Sequence, residues 1–163
     1  MENKIKKIGF ICEDLGPNQL AYQLITSANS LLQDTDDYDV CLFYRNFLPP
    51  VKNANFGTFT VYEAFSYDGV MIATDLHSAN AMVKWPGPNR NKMYFYVQDL
   101  EWVRLRNQMQ YEQLAQVYMN PKLNLIARSE DHKNILESVW RPITAVVEDA
   151  DVRRFVEIVE WTK

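Results

Sequence analysis

Residues 7–12, Lys-Ile-Gly-Phe-Ile-Cys, and residues 93–97, Met-Tyr-Phe-Tyr-Val, are short apolar runs that each break off into polar groups: Glu13-Asp14 after the first, Gln98-Asp99 after the second. Both are too short for a helix, rich in branched or aromatic side chains, and without polar alternation. Runs of this kind are strands covered on both faces, as in parallel sheets. Outward from the first lies a Gly16-Pro17-Asn18 turn, then Leu20, Leu24, Ala28, Leu31 and Leu32 at helical spacing, up to an acidic segment at 34–39. A second strand follows at 39–44 (DVCLFY), and a loop is marked by Pro49-Pro50 and residues 53–55. Residues 56–65 alternate apolar with polar and predict a third strand; 69–73 (GVMIA) predict a fourth. A short helix is expected at 75–83, stopped by Trp85-Pro86-Gly87-Pro88. Beyond the fifth strand, 93–97, come a helix at 108–118 ending before Pro121, a strand at 123–127, and a helix at 130–139. Ser129 is the expected cap of that helix, with Glu130 and Asp131 complementing its dipole. A seventh strand at 143–147 and a last helix capped by Asp149 or Asp151 complete the chain.

Strand and helix in alternation predict an α/β fold: a doubly wound, mostly parallel sheet of six or seven strands with helices on both faces, Rossmann-like, in one domain over residues 1–163. No helix is legible between the second and third strands, so that edge is expected to be irregular or antiparallel. The composition agrees with a packed core: 47% of the 163 residues are hydrophobic and 23% charged. A net charge of −4 argues against nucleic acid as a partner. No apolar stretch reaches the length of a membrane span. The charged first seven residues pass directly into a strand, without the apolar region of a signal peptide. Cys12 and Cys41 fall within adjacent strands and read as buried thiols rather than as a disulfide or zinc set. A cytoplasmic setting is the resulting expectation.

Ligands of open α/β sheets bind beyond the carboxyl ends of the strands. The residues there are Glu13, Asp14, Gly16 and Asn18 after the first strand, and Thr74, Asp75 and His77 after the fourth. Gln98, Asp99, Glu101 and Trp102 follow the fifth, and Arg128, Ser129 and His132 the sixth. His77, with Asp75 two residues before it, is the candidate catalytic base. His132, one turn into a helix, is expected at the surface. Asp99, Glu101 and Trp102 suit a sugar, whose apolar face packs on an indole while its hydroxyls meet carboxylates. The Gly16-Pro17-Asn18 turn has one glycine where a dinucleotide loop uses three, and Pro17 lacks a donor, so no nucleotide cofactor is expected. Two histidines without clustered cysteines or carboxylates give no metal site. Arg90, Lys92, Arg104 and Arg106 form a modest basic patch.

Four segments, 69–81 (GVMIATDLHSANA), 93–102 (MYFYVQDLEW), 125–132 (LIARSEDH) and 146–155 (VVEDADVRRF), together resemble the N-terminal domain of GT-B glycosyltransferases. The likeness covers roughly residues 5–155. It implies that His77, Asp75, Gln98, Asp99 and Glu101 lie on an acceptor-facing rim, and that Gly16 and Asn18 face an interdomain cleft. Trp102, Arg128 and Ser129 complete the expected ligand-binding set. Two places depart from the family: Leu15-Gly16-Pro17-Asn18 replaces a Gly-Gly loop, and Glu148-Asp149-Ala150-Asp151 replaces the closing turn. The family's donor site belongs to a second domain. The resemblance therefore implies a domain that binds a carbohydrate acceptor or a nucleotide-sugar-related ligand, and that transfers nothing without a donor-domain partner. The other expectation is an interaction or regulatory protein, with a homo-oligomer as one form, that keeps the scaffold without the sugar chemistry.

Overall fold

A computed structural model describes residues 5–85, 93–105 and 107–161. Seven strands form one sheet: β1 (Lys6–Cys12), β2 (Tyr38–Tyr44), β3 (Gly57–Thr60), β4 (Val70–Ala73), β5 (Met93–Val97), β6 (Leu123–Ala127) and β7 (Ala145–Val146). Their order is β3-β2-β1-β4-β5-β6-β7 and every pairing is parallel. This is a doubly wound sheet of Rossmann type, and its direction of winding reverses between β1 and β4.

The double covering follows from the two-residue period of a strand. On β5, Tyr94 and Tyr96 face one core and Met93, Phe95 and Val97 the other. Helices α1 (Gln19–Asp34) and α5 (Val152–Ile158) close the first core. Helices α2 (Leu76–Lys84), α3 (Gln108–Tyr118) and α4 (Glu130–Val139) close the second. Phe155 of α5 meets Phe10 and Tyr96 edge-on at centroid distances of 5.2 and 5.0 Å. Its complete burial contributes about 2–3 kcal/mol.

The sheet edge differs from the expectation. β3 pairs with β2 in parallel register, Cys41 opposite Gly57 and Tyr44 opposite Thr60. The connection between them covers the sheet as a helix would without being one: Val51, Ala54 and Phe56 pack on the first core. Buried Asn29 pins this segment, donating to the Asn53 carbonyl and accepting from the Asn55 N–H, both at 2.8 Å. The expected third strand, 56–65, is also shorter. After Thr60 the chain winds into a 3₁₀ turn, Val61–Ser66. That turn carries it from the sheet edge back to β4 and seats Tyr67 edge-on against Phe43 at 5.2 Å. Strand pairing near β7 reaches past its two residues, since Thr144 and Val147 N–H groups bond the Leu125 and Ala127 carbonyls.

Cys12 and Cys41 are buried and free. Burial pushes their thiols up to about 12 and about 11, which keeps both protonated and unreactive. Among the described residues no helix is long and apolar enough to cross a membrane.

Candidate functional site

The expected rim exists at the carboxyl ends of the strands, but it is three places and not one. At the winding reversal between β1 and β4, the chain satisfies its own polar groups. The Asp14 carboxylate accepts from the Gly16 N–H at 2.8 Å and from the Asn18 amide at 3.0 Å. Asn18 in turn caps α1, accepting from the Ala21 N–H at 2.8 Å. A carboxylate thus occupies donors that a bound phosphate would otherwise use. The β2–β3 connection lies over this turn. A Cβ on Gly16 would come within 2.9 Å of the exposed Leu48 side chain, which would have to shift to admit it.

Asp75 is equally engaged. It caps α2 through the Ser78 N–H at 2.9 Å, accepts the Ser78 hydroxyl at 2.8 Å and pairs with Arg45 at 2.8 Å. Arg45 and Asp75 are each 27% exposed, so the pair is partly shielded from solvent. The Thr74 hydroxyl donates to the Ile11 carbonyl at 2.7 Å, sealing β4 to β1. Among the described residues the side-chain bonds of Asp75 go to Arg45 and Ser78, and none goes to His77.

On the flank over α2 and α3 lies a cavity of about 330 Å³. Leu76, Leu114 and Val117 give it an apolar wall, while His77, Asn80, Glu101 and Gln113 supply polar groups. Glu101 begins a 3₁₀ turn, Glu101–Arg104, that leaves β5. Its carboxylate accepts from the buried Tyr118 hydroxyl at 2.5 Å. Burial raises the Glu101 carboxyl above its ordinary value, against the Tyr118 hydrogen bond that favours the charged form. Trp102 does not offer a free platform here: it meets Tyr118 and Trp140 edge-on at 5.3 and 5.5 Å and belongs to the second core. Asp99 pairs with Arg104 and accepts from the Leu100 N–H. Of the remaining basic patch, Arg90, Lys92 and Arg106 lie outside the described residues, as does the stop at 86–88.

Elsewhere on the rim, by the N-terminal ends of α1 and α4, a second cavity of about 330 Å³ is lined by Gln19, Gln23, Tyr96, Gln98, Arg128, Ser129 and Asp149. The N-termini of α1 and α4 both open on it, at Gln19 and at the Ser129 cap, which accepts from the His132 N–H at 3.2 Å. Asp149 reaches it through a turn in which Asp149 and Ala150 have φ of 52° and 49°, left-handed without glycine. Tyr96 holds that turn, donating to the Val147 carbonyl at 2.8 Å and accepting from the Ala150 N–H at 3.3 Å. Left-handed backbone at a non-glycine residue costs about 1 kcal/mol and gathers at functional sites. Gln23 donates to Asp149 at 3.0 Å. Asp151, not Asp149, caps α5.

His132 corrects the expectation of a surface residue. It is 7% exposed, because its face of α4 turns inward, toward the end of β5. Its Nδ1 has no partner among the described residues, and burial followed by the nearby Arg128 charge lowers its proton affinity.

The structure thus joins His77 with Glu101, and separately Gln98 with Arg128 and Ser129. Asp75, Asp14 and Asn18 are placed between the two flanks and are occupied. Gln19, Gln23, Asp149 and Arg45 escaped the sequence reading. Arg45 directly follows β2, so the rule that located the others finds it too; Gln19 and Gln23 share a helical face with the spacing of one turn. No group of three His, Cys, Asp or Glu side chains able to hold a metal occurs among the described residues. No known protein family, characterised protein or solved structure matches the chain.

Proposed function

We propose that this domain binds a phosphate-bearing sugar, of the nucleotide-sugar class, in the cavity between α1 and α4. The observation that carries this reading is Arg128. It stands at the end of β6 with no ion-pair partner among the described residues, on a cavity where two helix N-termini open. Helix N-termini and a guanidinium favour an anion, and the guanidinium suits phosphate in two-point contact. Gln19, Gln98 and Asp149 then supply the mixed donors and acceptors that sugar hydroxyls need. Glu130 and Asp131, in the first turn of α4, are exposed and work against an anion there; their charge is screened by solvent. The resemblance to the acceptor-side domain of GT-B glycosyltransferases supports a carbohydrate at this rim, while the phosphate-bearing class rests on Arg128 and the two helix N-termini. Glycosyl transfer would draw its donor site from further protein, and this domain would hold one ligand in place for it.

Calorimetric titration with a panel of nucleotide sugars and the matching free sugars tests the reading. At least one nucleotide sugar binds, the free sugar binds more weakly, and Arg128→Ala lowers the affinity by about 10- to 100-fold, the worth of a charge-assisted hydrogen bond. The variant keeps its melting temperature, since Arg128 is exposed. Absence of binding across the panel, or an unchanged affinity in the variant, overturns it. A second reading, a scaffold used for protein contacts, is favoured by Phe47 and Tyr62, which are 75% and 78% exposed. It predicts a stable oligomer or a stoichiometric protein partner, together with silence toward nucleotide sugars.

A further inference from the structure

The cavity between α2 and α3 has a different chemistry from the Arg128 cavity, and its ligand class is independent of the nucleotide-sugar reading. Three carboxylates stand on this part of the rim, and two have cations of their own: Asp75 has Arg45 and Asp99 has Arg104. Glu101 has none among the described residues. Its partners there are neutral: the Tyr118 hydroxyl, which donates to Oε2, and its own backbone N–H. No Lys or Arg is among the described residues that line the cavity. A half-buried carboxylate without a counter-charge carries a desolvation cost that an arriving cation would relieve.

The rest of the lining narrows the class. Asn80 and Gln113 carry side-chain carbonyls that can accept hydrogen bonds, and neither makes a side-chain hydrogen bond among the described residues. A primary ammonium has three donors and no acceptor, and Glu101 with two amide carbonyls offers a matching set. Leu114 and Val117 give the opposite wall an apolar surface for a carbon skeleton. A volume of about 330 Å³ holds a single ring or a molecule of similar size. Tyr118 fixes the acceptor: its ring stacks on Trp140 at 5.2 Å and is edged by Trp102 at 5.3 Å, so the Glu101 carboxylate is held in one orientation before anything binds. His77 is the remaining titratable group on the lining, exposed on α2 at the opening.

We infer that the α2–α3 cavity is a binding site for a small ligand bearing a primary ammonium on an apolar skeleton, with Glu101 as its counter-ion. This is a site separate from the Arg128 cavity, of opposite charge preference, on the same rim.

The experiment uses a matched pair of probes, cyclohexylamine and cyclohexanol, which share a ring and differ in charge. Each is titrated into the isotope-labelled chain while the Leu114 and Val117 methyl signals and the His77 ring are followed. The amine produces saturable shifts at these positions, with a dissociation constant on the order of millimolar, as befits a fragment. The alcohol binds at least about tenfold more weakly, and Glu101→Gln weakens the amine by at least about tenfold while preserving the acceptor for Tyr118. Arg128→Ala leaves amine binding unchanged, which separates this result from the fate of the nucleotide-sugar reading. Equal response to amine and alcohol, undiminished amine binding in Glu101→Gln, or no saturable shift at Leu114 and Val117 overturns the inference. Should Glu101→Gln fail to fold, the amine–alcohol comparison on the unaltered chain decides alone.

Discussion

The winding reversal of the sheet and its two flanks are built from the same residue types, yet they behave oppositely. At the reversal both aspartates are consumed: Asp14 by Gly16 and Asn18, Asp75 by Arg45 and Ser78. On the flanks, among the described residues, charged groups are left over: Arg128 without an anion, Glu101 without a cation. In folds of this type the reversal is where a ligand is expected, because the helices on either side diverge there. Here the chain fills that crevice with its own side chains, and the β2–β3 connection covers it. Topology offers a place for a ligand, while pairing within the chain determines whether the place is free.

Removing charge at the centre and on the flanks, and measuring stability, tests this contrast. The largest effect is expected at the reversal. Asp75→Ala removes the cap of α2, a hydroxyl bond and the partner of a half-buried Arg45, and should cost about 2–4 kcal/mol in urea unfolding. A cost below about 1 kcal/mol would mean that the reversal is as loosely held as the flanks.

A smaller effect concerns His132, buried beneath the Arg128 flank. Its proton affinity is lowered in the folded chain, so the unfolded chain binds more protons as pH falls through 6.5, the ordinary histidine value. Stability is therefore retained above that pH and declines below it, and His132→Gln should flatten the slope between about pH 6.5 and 5. An unchanged slope would show that His132 gains its proton without hindrance, and that the flank is open to water down to α4.

The smallest effect is expected at Glu101. Its carboxyl is raised, so the folded chain holds the proton more tightly, and the stabilising contribution present below 4.5 is lost as pH rises through the raised value. Glu101→Gln should match the unaltered chain at about pH 4 and exceed it slightly at about pH 7, by less than about 1 kcal/mol once solvent screening is allowed for. Thermal unfolding at the two pH values checks this. A loss at neutral pH would place Glu101 with the structural carboxylates of the reversal.

Much of this fold is legible in residues 5–161 because it depends on periods short enough to read. The boundaries of α3 and α4 agree with the spacing of their apolar residues, and Ser129 caps α4 as its position implies. The β2–β3 connection is not legible, since its helix-like role comes from Asn29, distant in the chain, bonding two backbone groups. The end of β3 is illegible for a similar reason: the alternation of 56–65 suits a strand, but the route back to β4 requires a turn. Trp102 shows the limit for the site. Beside two carboxylates in sequence it reads as a sugar platform, whereas Tyr118 and Trp140, far along the chain, claim its ring.

The amino-acid order is enough to specify the sheet, its parallel sense over most strands, and the set of polar residues that must emerge at the carboxyl rim. A strand's apolar period and the polar groups at its end are local properties, carried by adjacent residues. Which of those polar residues remain free depends on the folded arrangement. Arg45 reaching Asp75, Asp14 folding onto Gly16, and Tyr118 holding Glu101 bring together groups from different loops, strands and helices, and electrostatic satisfaction is a property of neighbours in space. This pairing closes the centre of the rim and leaves two cavities beside it, in which Arg128 and Glu101 have no ion-pair partner among the described residues.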